Sequence, residues 1–140
     1  MQKKDRTGQV SMEYLIIVGF VTFIVIAILG VAFFYSGAIK DQIKSTQINN
    51  YANKIISTTE SVFYAGAPSK STISAYLPEN VRSIEIDGYD LIIEVETYSG
   101  LNKIAFTSKV PLSGGPLSIT KGLKKIEVEA SEDSASITEL

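Results

Sequence analysis

From Tyr14 to Tyr35 the chain runs 22 residues without a charge, and 15 of them are Leu, Ile, Val or Phe. An α-helix needs roughly 20 apolar residues to cross a bilayer, and one of this length is about 33 Å long. Summed on a translocon scale, the aliphatic and Phe side chains favour insertion by roughly 5–9 kcal/mol. A soluble core helix rarely needs so long an unbroken run, so the segment is expected to enter a membrane. Met1 to Gly8 before it is polar and basic, with Lys3, Lys4 and Arg6 against Asp5, while Lys40 and Lys44 follow it. Basic residues ahead of an apolar helix tend to stay cytoplasmic, which places the C-terminal part outside.

The remaining composition fits one small domain on an apolar stalk. A length of 140 residues leaves room for one domain and one anchor. The chain has neither Cys nor His. That excludes disulfides, thiol nucleophiles and zinc–thiolate sites, and removes the side chain on which most acid–base and metal chemistry relies. A net charge of −2 gives no electrostatic footprint for nucleic acid.

The residues entering the apolar run are Gly8-Gln9-Val10-Ser11-Met12-Glu13-Tyr14. This stretch resembles the class III signal peptides of archaeal type IV pilin-like proteins, whose pattern is Gln-X-Ser-X-Glu-Tyr, and Gln9, Ser11, Glu13 and Tyr14 match every fixed position. The resemblance covers the leader and the apolar helix, about a quarter of the chain. It implies that a prepilin peptidase cuts between Gly8 and Gln9 on the cytoplasmic side and leaves the helix attached. It further implies assembly with copies of itself or related pilins through that helix, driven by an assembly ATPase and a membrane platform protein. The implied destination is a surface filament used in adhesion, reached from the lipid bilayer.

Physical chemistry gives the motif residues plausible work. Gly8 lets an extended backbone lie in a protease cleft without obstruction. Ser11 is placed to cap a helix beginning near Val10. Glu13 becomes the fifth residue after cleavage, in the first turn, where a carboxylate suits the helix dipole. It then reads either as a headgroup-level carboxylate or as one buried among neighbouring helices. Burial of an acidic group at the centre of an apolar region costs about 2.5–3.5 kcal/mol, so it requires a partner. In the resembling family that partner is the N-terminal amine of an adjacent subunit. Gln9 as an N-terminus can cyclise and lose that charge, leaving Ser11 or Tyr14 of a neighbour as alternative donors.

Beyond the apolar run the helical pattern continues. Ile39, Ile43, Ile48, Ala52, Ile55, Ile56, Val62 and Phe63 recur at steps that make one apolar stripe, with Lys40, Asp41, Lys44, Asn49, Asn50 and Asn53 between them. No Pro occurs before Pro68, and Gly66-Ala67-Pro68 predicts the helix end. From Ser69 the pattern becomes strand-like. Val81–Asp87 is expected to place Ser83 with Val81 and Ile84 with Ile86 on opposite faces. Asp87-Gly88-Tyr89-Asp90 is a turn signal, with Asp-Gly the favoured hairpin pair, leading into Leu91, Ile93 and Val95. Ser99-Gly100 marks a second turn into Ile104, Phe106 and Val110. Pro111–Pro116 reads as a loop, and Ile126, Val128 and Ala130 line a last strand. Four strands with one apolar face need a cover, and the stripe from Ile39 to Phe63 is available.

The expected fold is therefore α+β, a long N-terminal helix with a small antiparallel β-sheet head of the type IV pilin kind. It divides into a cleaved leader (1–8), a hydrophobic helix (9–37), an amphipathic helix on the head (38–66), the sheet head (67–131) and a polar tail (132–140). Asp87, Asp90, Glu94 and Glu96 are the one acidic cluster, read as a solvated turn and outer strand face without the spacing of a Ca²⁺ loop. No catalytic residue, metal or cofactor is expected, and no Asn lies in a glycosylation sequon. Three alternatives stay open. The chain is a single-pass anchor displaying a β-domain, or a pseudopilin-like assembly component, or a secreted protein with a signal cut near Ser36-Gly37-Ala38.

Overall fold

The computed structural model describes residues 7–140, with side chains from Ser11 onward. The leader assigned to positions 1–8 lies outside the described residues except for the backbone of Thr7 and Gly8. The chain falls into two compact units, one ending at Ile39 and one spanning Lys40–Leu140. One helix, α1 (Thr7–Ala65), supplies the whole described part of the first and the opening of the second. Together with the sheets that follow, it gives the expected α+β layout of one long helix and a small, largely antiparallel head.

In the first unit every residue from Ser11 to Tyr35 is exposed. Its apolar side chains point in all directions, so this part of α1 has no face to bury within the chain. The helix begins at Thr7, before the expected start near Val10. Ser11 is therefore an interior helical residue and not an N-cap. A single Gly at position 8 weakens a helix by only about 1 kcal/mol, too little to delay its start.

In the second unit α1 buries Ile48, Tyr51, Ala52, Ile55, Ile56, Thr59 and Val62, with Phe63 half-buried. The predicted stripe is correct from Ile48 onward. Ile39 and Ile43 are more than half exposed and take no part in the cover. Thr59 fits this interior because its hydroxyl donates to the Ile55 carbonyl at 2.8 Å, one turn back. The helix ends where the sequence indicates. Gly66 has φ +82°, the left-handed conformation that suits glycine, and its N–H donates to the Phe63 carbonyl at 3.0 Å.

The head holds seven strands in two sheets, not four strands in one. They are β1 (Lys70–Leu77), β2 (Val81–Asp87), β3 (Asp90–Thr97), β4 (Gly100–Thr107), β5 (Leu112–Gly114), β6 (Gly122–Ala130) and β7 (Ala135–Glu139). One sheet has the order β1-β6-β7-β5 and the other β2-β3-β4. Leu91, Ile93 and Val95 of β3, with Ile126, Val128 and Ala130 of β6, bury the faces predicted for them. Ile104 and Phe106 are half-buried, and Val110 is buried beyond the end of β4.

Four local expectations are corrected. In β2 a register shift between Val81 and Ser83 turns Val81 and Ile84 to the same core, because a bulge resets the two-residue alternation. The first hairpin closes on the Asp87–Asp90 pair, so the turn expected over these four residues stands, but its central pair is Gly88-Tyr89 and not Asp87-Gly88. Gly88 at φ +61° supplies the positive first position of a II′ turn. The loop assigned to Pro111–Pro116 contains β5, which pairs parallel with β7. Gly114 is required there, since a Cβ would collide with the Ile137 carbonyl oxygen.

The fourth correction is the largest. The segment assigned as a polar tail, 132–140, contains β7, which lies inside its sheet between β6 and β5. Its alternation is short but complete. Ala135 and Ile137 are fully buried, while Ser136 and Thr138 face away.

Candidate functional site

The sequence directs attention to the beginning of α1. Helical geometry puts Ser11 and Tyr14 one turn apart on the same side and Glu13 on nearly the opposite side, above Ile16 and Ile17. Ser11, Glu13 and Tyr14 are all exposed, Tyr14 at 70%. Gly8 and Gln9, the pair at which cleavage is expected, are described in their backbone only. Their backbone is helical, so the Gly8–Gln9 peptide bond lies inside the first turn of α1. In the intact chain Glu13 occupies the second turn; cleavage before Gln9 would bring it into the first.

Beyond Glu13 and Tyr14 the helix presents apolar side chains. Leu15, Ile16, Ile17, Phe20, Phe23, Ile26, Phe33 and Phe34 are each 60% or more exposed, and none of the apolar window is covered by the rest of the chain. This is one helix long and apolar enough to cross a membrane. Among the described residues, the first side-chain hydrogen bond along it is at Asp41, whose Oδ2 accepts from the Tyr98 N–H at 3.0 Å. Ser11, Glu13 and Tyr14 thus have no partner within the described chain. The arrangement offers one carboxylate and two hydroxyls on an apolar rod, groups suited to pairing with another molecule.

The acidic cluster of the head is dispersed among strand neighbours. The Thr107 hydroxyl donates to Asp90 Oδ1 at 2.6 Å, the Ser83 hydroxyl to Glu94 Oε2 at 3.3 Å, and Arg82 pairs with Glu96. These are cross-strand contacts of β2, β3 and β4. Among the described residues, no three carboxylates converge on a point where a cation could sit.

Sequence reasoning missed a polar cluster between β6 and β7. Lys124 Nζ lies 3.0 Å from Glu139 Oε1, 2.9 Å from Ser118 Oγ and 2.8 Å from Thr120 Oγ1, and the Ser118 N–H donates to Glu139 Oε2 at 2.6 Å. Lys124 resembles the Lys of a Ser–Lys hydrolytic pair only in distance. Its donors are shared among Glu139, Ser118 and Thr120. The cluster ties the 115–121 loop to the last strand. Its signal was invisible because reading 132–140 as tail removed Glu139 from consideration.

Compared with protein-family models, with curated proteins and with solved structures, the chain has no significant match in any of the three.

Proposed function

We propose that this chain is a structural subunit, major or minor, of an archaeal type IV pilus-like surface filament. It is made as a single-pass membrane prepilin with a cytoplasmic N-terminus and an outward head. A prepilin peptidase cuts it after Gly8, and an assembly ATPase and platform protein extract it into a filament that serves adhesion. The observation that carries this reading is the apolar, fully exposed start of α1 in register with Gln9, Ser11, Glu13 and Tyr14. An exposed apolar rod of this length needs lipid or other helices around it. The head supplies a separate compact unit to display. Its role is structural and not catalytic. Processing removes Lys3, Lys4 and Arg6 with only Asp5, so the mature subunit is more acidic than the net −2 precursor, which favours solubility of a displayed surface.

The test is the N-terminal mass of the protein recovered from membranes and from sheared surface material. Gln9, free or cyclised, is the expected first residue. Met1 would identify a permanent anchor, and a start near Ile39 a secreted protein. A Gly8→Val chain is expected to accumulate as uncut, membrane-bound precursor.

A further inference from the structure

We infer that one end of the head is a lipid-contacting surface, in which the turn between β3 and β4 carries Tyr98 and Leu101 into the headgroup layer. The inference rests on the membrane reading of α1 given above. Tyr98, in the two-residue turn, is 90% exposed, and Leu101, the second residue of β4, is 65% exposed. The turn is pinned to the helix. The Tyr98 N–H donates to Asp41 Oδ2 at 3.0 Å. Asp41 is two residues from Ile39, the last residue of the apolar unit. Two Cα–Cα steps span at most about 7.6 Å. The covalent chain alone therefore keeps Asp41, to which the turn is bonded, within two residues of Ile39.

Two more loops gather at the same level of the helix. Lys44, one turn after Asp41, pairs with Glu79 of the β1–β2 loop at 3.9 Å, and Glu79 pairs with Lys121 at 3.4 Å. Around them Ile43 is 53% exposed and Tyr76 46%. Lys40, Lys44 and Lys121 stand beside these apolar side chains. This is the composition of a membrane interface: an aromatic residue whose ring is apolar and whose hydroxyl is wet, and lysines whose stems lie along apolar surface while their ammonium groups reach water. The headgroup layer occupies several ångströms on each side of the hydrocarbon, a depth comparable with the leash from Ile39 to Asp41. The opposite end of the sheet, at Gly88-Tyr89, is separated by the length of β3, about 24 Å. It provides an internal control.

The chain has no Cys, so single-cysteine labels report one position each. The experiment places a nitroxide on Ser99→Cys, Tyr89→Cys or Ile24→Cys of the full chain in phosphatidylcholine vesicles. It compares relaxation by oxygen with relaxation by a water-soluble nickel complex. The Ile24 label should read as deep in hydrocarbon, the Ser99 label as shielded from nickel at headgroup depth, and the Tyr89 label as fully aqueous. Adding Tyr98→Ser and Leu101→Ser should shift the Ser99 label to nickel exposure while leaving the Ile24 label unchanged. An Ile24 label that is not in hydrocarbon would overturn the membrane reading itself and this inference with it. With Ile24 in hydrocarbon, a Ser99 label as aqueous as Tyr89 would overturn only the inference. A Ser99 label that keeps its depth without Tyr98 and Leu101 would overturn the role given to those side chains. Shielding that arises only in assembled filaments would make the turn a subunit contact, and the lipid assignment would be wrong.

Discussion

Lys124 and Glu139 face each other at 3.0 Å with their side chains only 11% and 19% exposed, and this pair fixes the last strand of the chain to the sheet. Lys124 meets Glu139, Ser118 and Thr120 together, so its donors are spent on one carboxylate and two hydroxyls. Neutralising the carboxylate in Glu139→Gln is expected to lower stability by about 1.5–3 kcal/mol, the range for a hydrogen bond to a charged group. Deleting residues 134–140 should do far more. It removes the fully buried Ala135 and Ile137 and leaves β6 and β5 without the strand between them. Urea unfolding of residues 40–140, a compact unit on their own, separates the outcomes. A cooperative transition at lower urea is expected for the point variant and none for the truncation.

The helical cover can be tested along its length. Ile55 is fully buried, and Ile55→Ala should cost about 2–5 kcal/mol, as for other large-to-small core changes. Phe63 is half-buried, so Phe63→Ala should fall below the roughly 3–5 kcal/mol of a fully buried Phe. Ile43→Ala, at an exposed position, should stay within about 0.5 kcal/mol. Equal urea midpoints for the Ile55 and Ile43 variants would show that the stripe does not cover the sheets.

Tyr51 gives the head a pH dependence at the alkaline end. It is 1% exposed, and its hydroxyl is the one buried side-chain polar atom without a hydrogen-bond partner among the described residues. Burial first, and the negative charge of Glu139 second, push that hydroxyl well above its ordinary value of about 10. The folded chain then holds a proton that the unfolded chain releases. Its stabilising effect is complete below pH 10 and is lost as pH rises beyond it. Tyr51→Phe should therefore unfold at the same or higher urea at pH 7 and show a flatter decline above pH 10. A variant that declines as steeply as the parent would place the titration elsewhere.

What the sequence revealed and what it concealed divide along physical lines. The apolar run, the stripe from Ile48 to Val62, the Gly66 stop and the faces of β3 and β6 were legible because each repeats one period over many residues. β7 was not. Five residues, Ala135-Ser136-Ile137-Thr138-Glu139, contain only two inward side chains and sit in an acidic, serine-rich setting that composition assigns to solvent. β5 is shorter still and is held by a parallel pairing that no local pattern announces. The Val81 bulge and the Gly88-Tyr89 turn depend on register, which is set by partner strands. At the candidate site the residue types were legible, and so was the exposure of the apolar helix. The start of α1 at Thr7, which takes Ser11 out of a capping position, was not.

On the proposed filament reading, Glu13 acts in assembly and not in insertion. The apolar run alone supplies enough transfer energy to hold the precursor in a bilayer, and Glu13 makes no contact within the described chain that the head would need. Moving from lipid to a filament core exchanges one apolar environment for another, so hydrophobicity gives little drive for assembly. Packing between helices must supply most of the association energy, and a buried polar partner for Glu13 would set the register between neighbours. Extraction from the bilayer then requires outside work, which is the part played by the proposed ATPase. Glu13→Ala should accordingly leave insertion, cleavage after Gly8 and the urea midpoint of the head unchanged, while filament yield falls sharply. The comparison is between sheared-filament and membrane fractions at equal levels of mature protein. Glu13→Gln, which keeps a hydrogen-bonding side chain without the charge, should recover more filaments than Ala if the partner is a neutral donor and no more if it is a free N-terminal amine. Full filament yield from Glu13→Ala would remove the carboxylate from the assembly mechanism and leave it as a residue of the membrane surface.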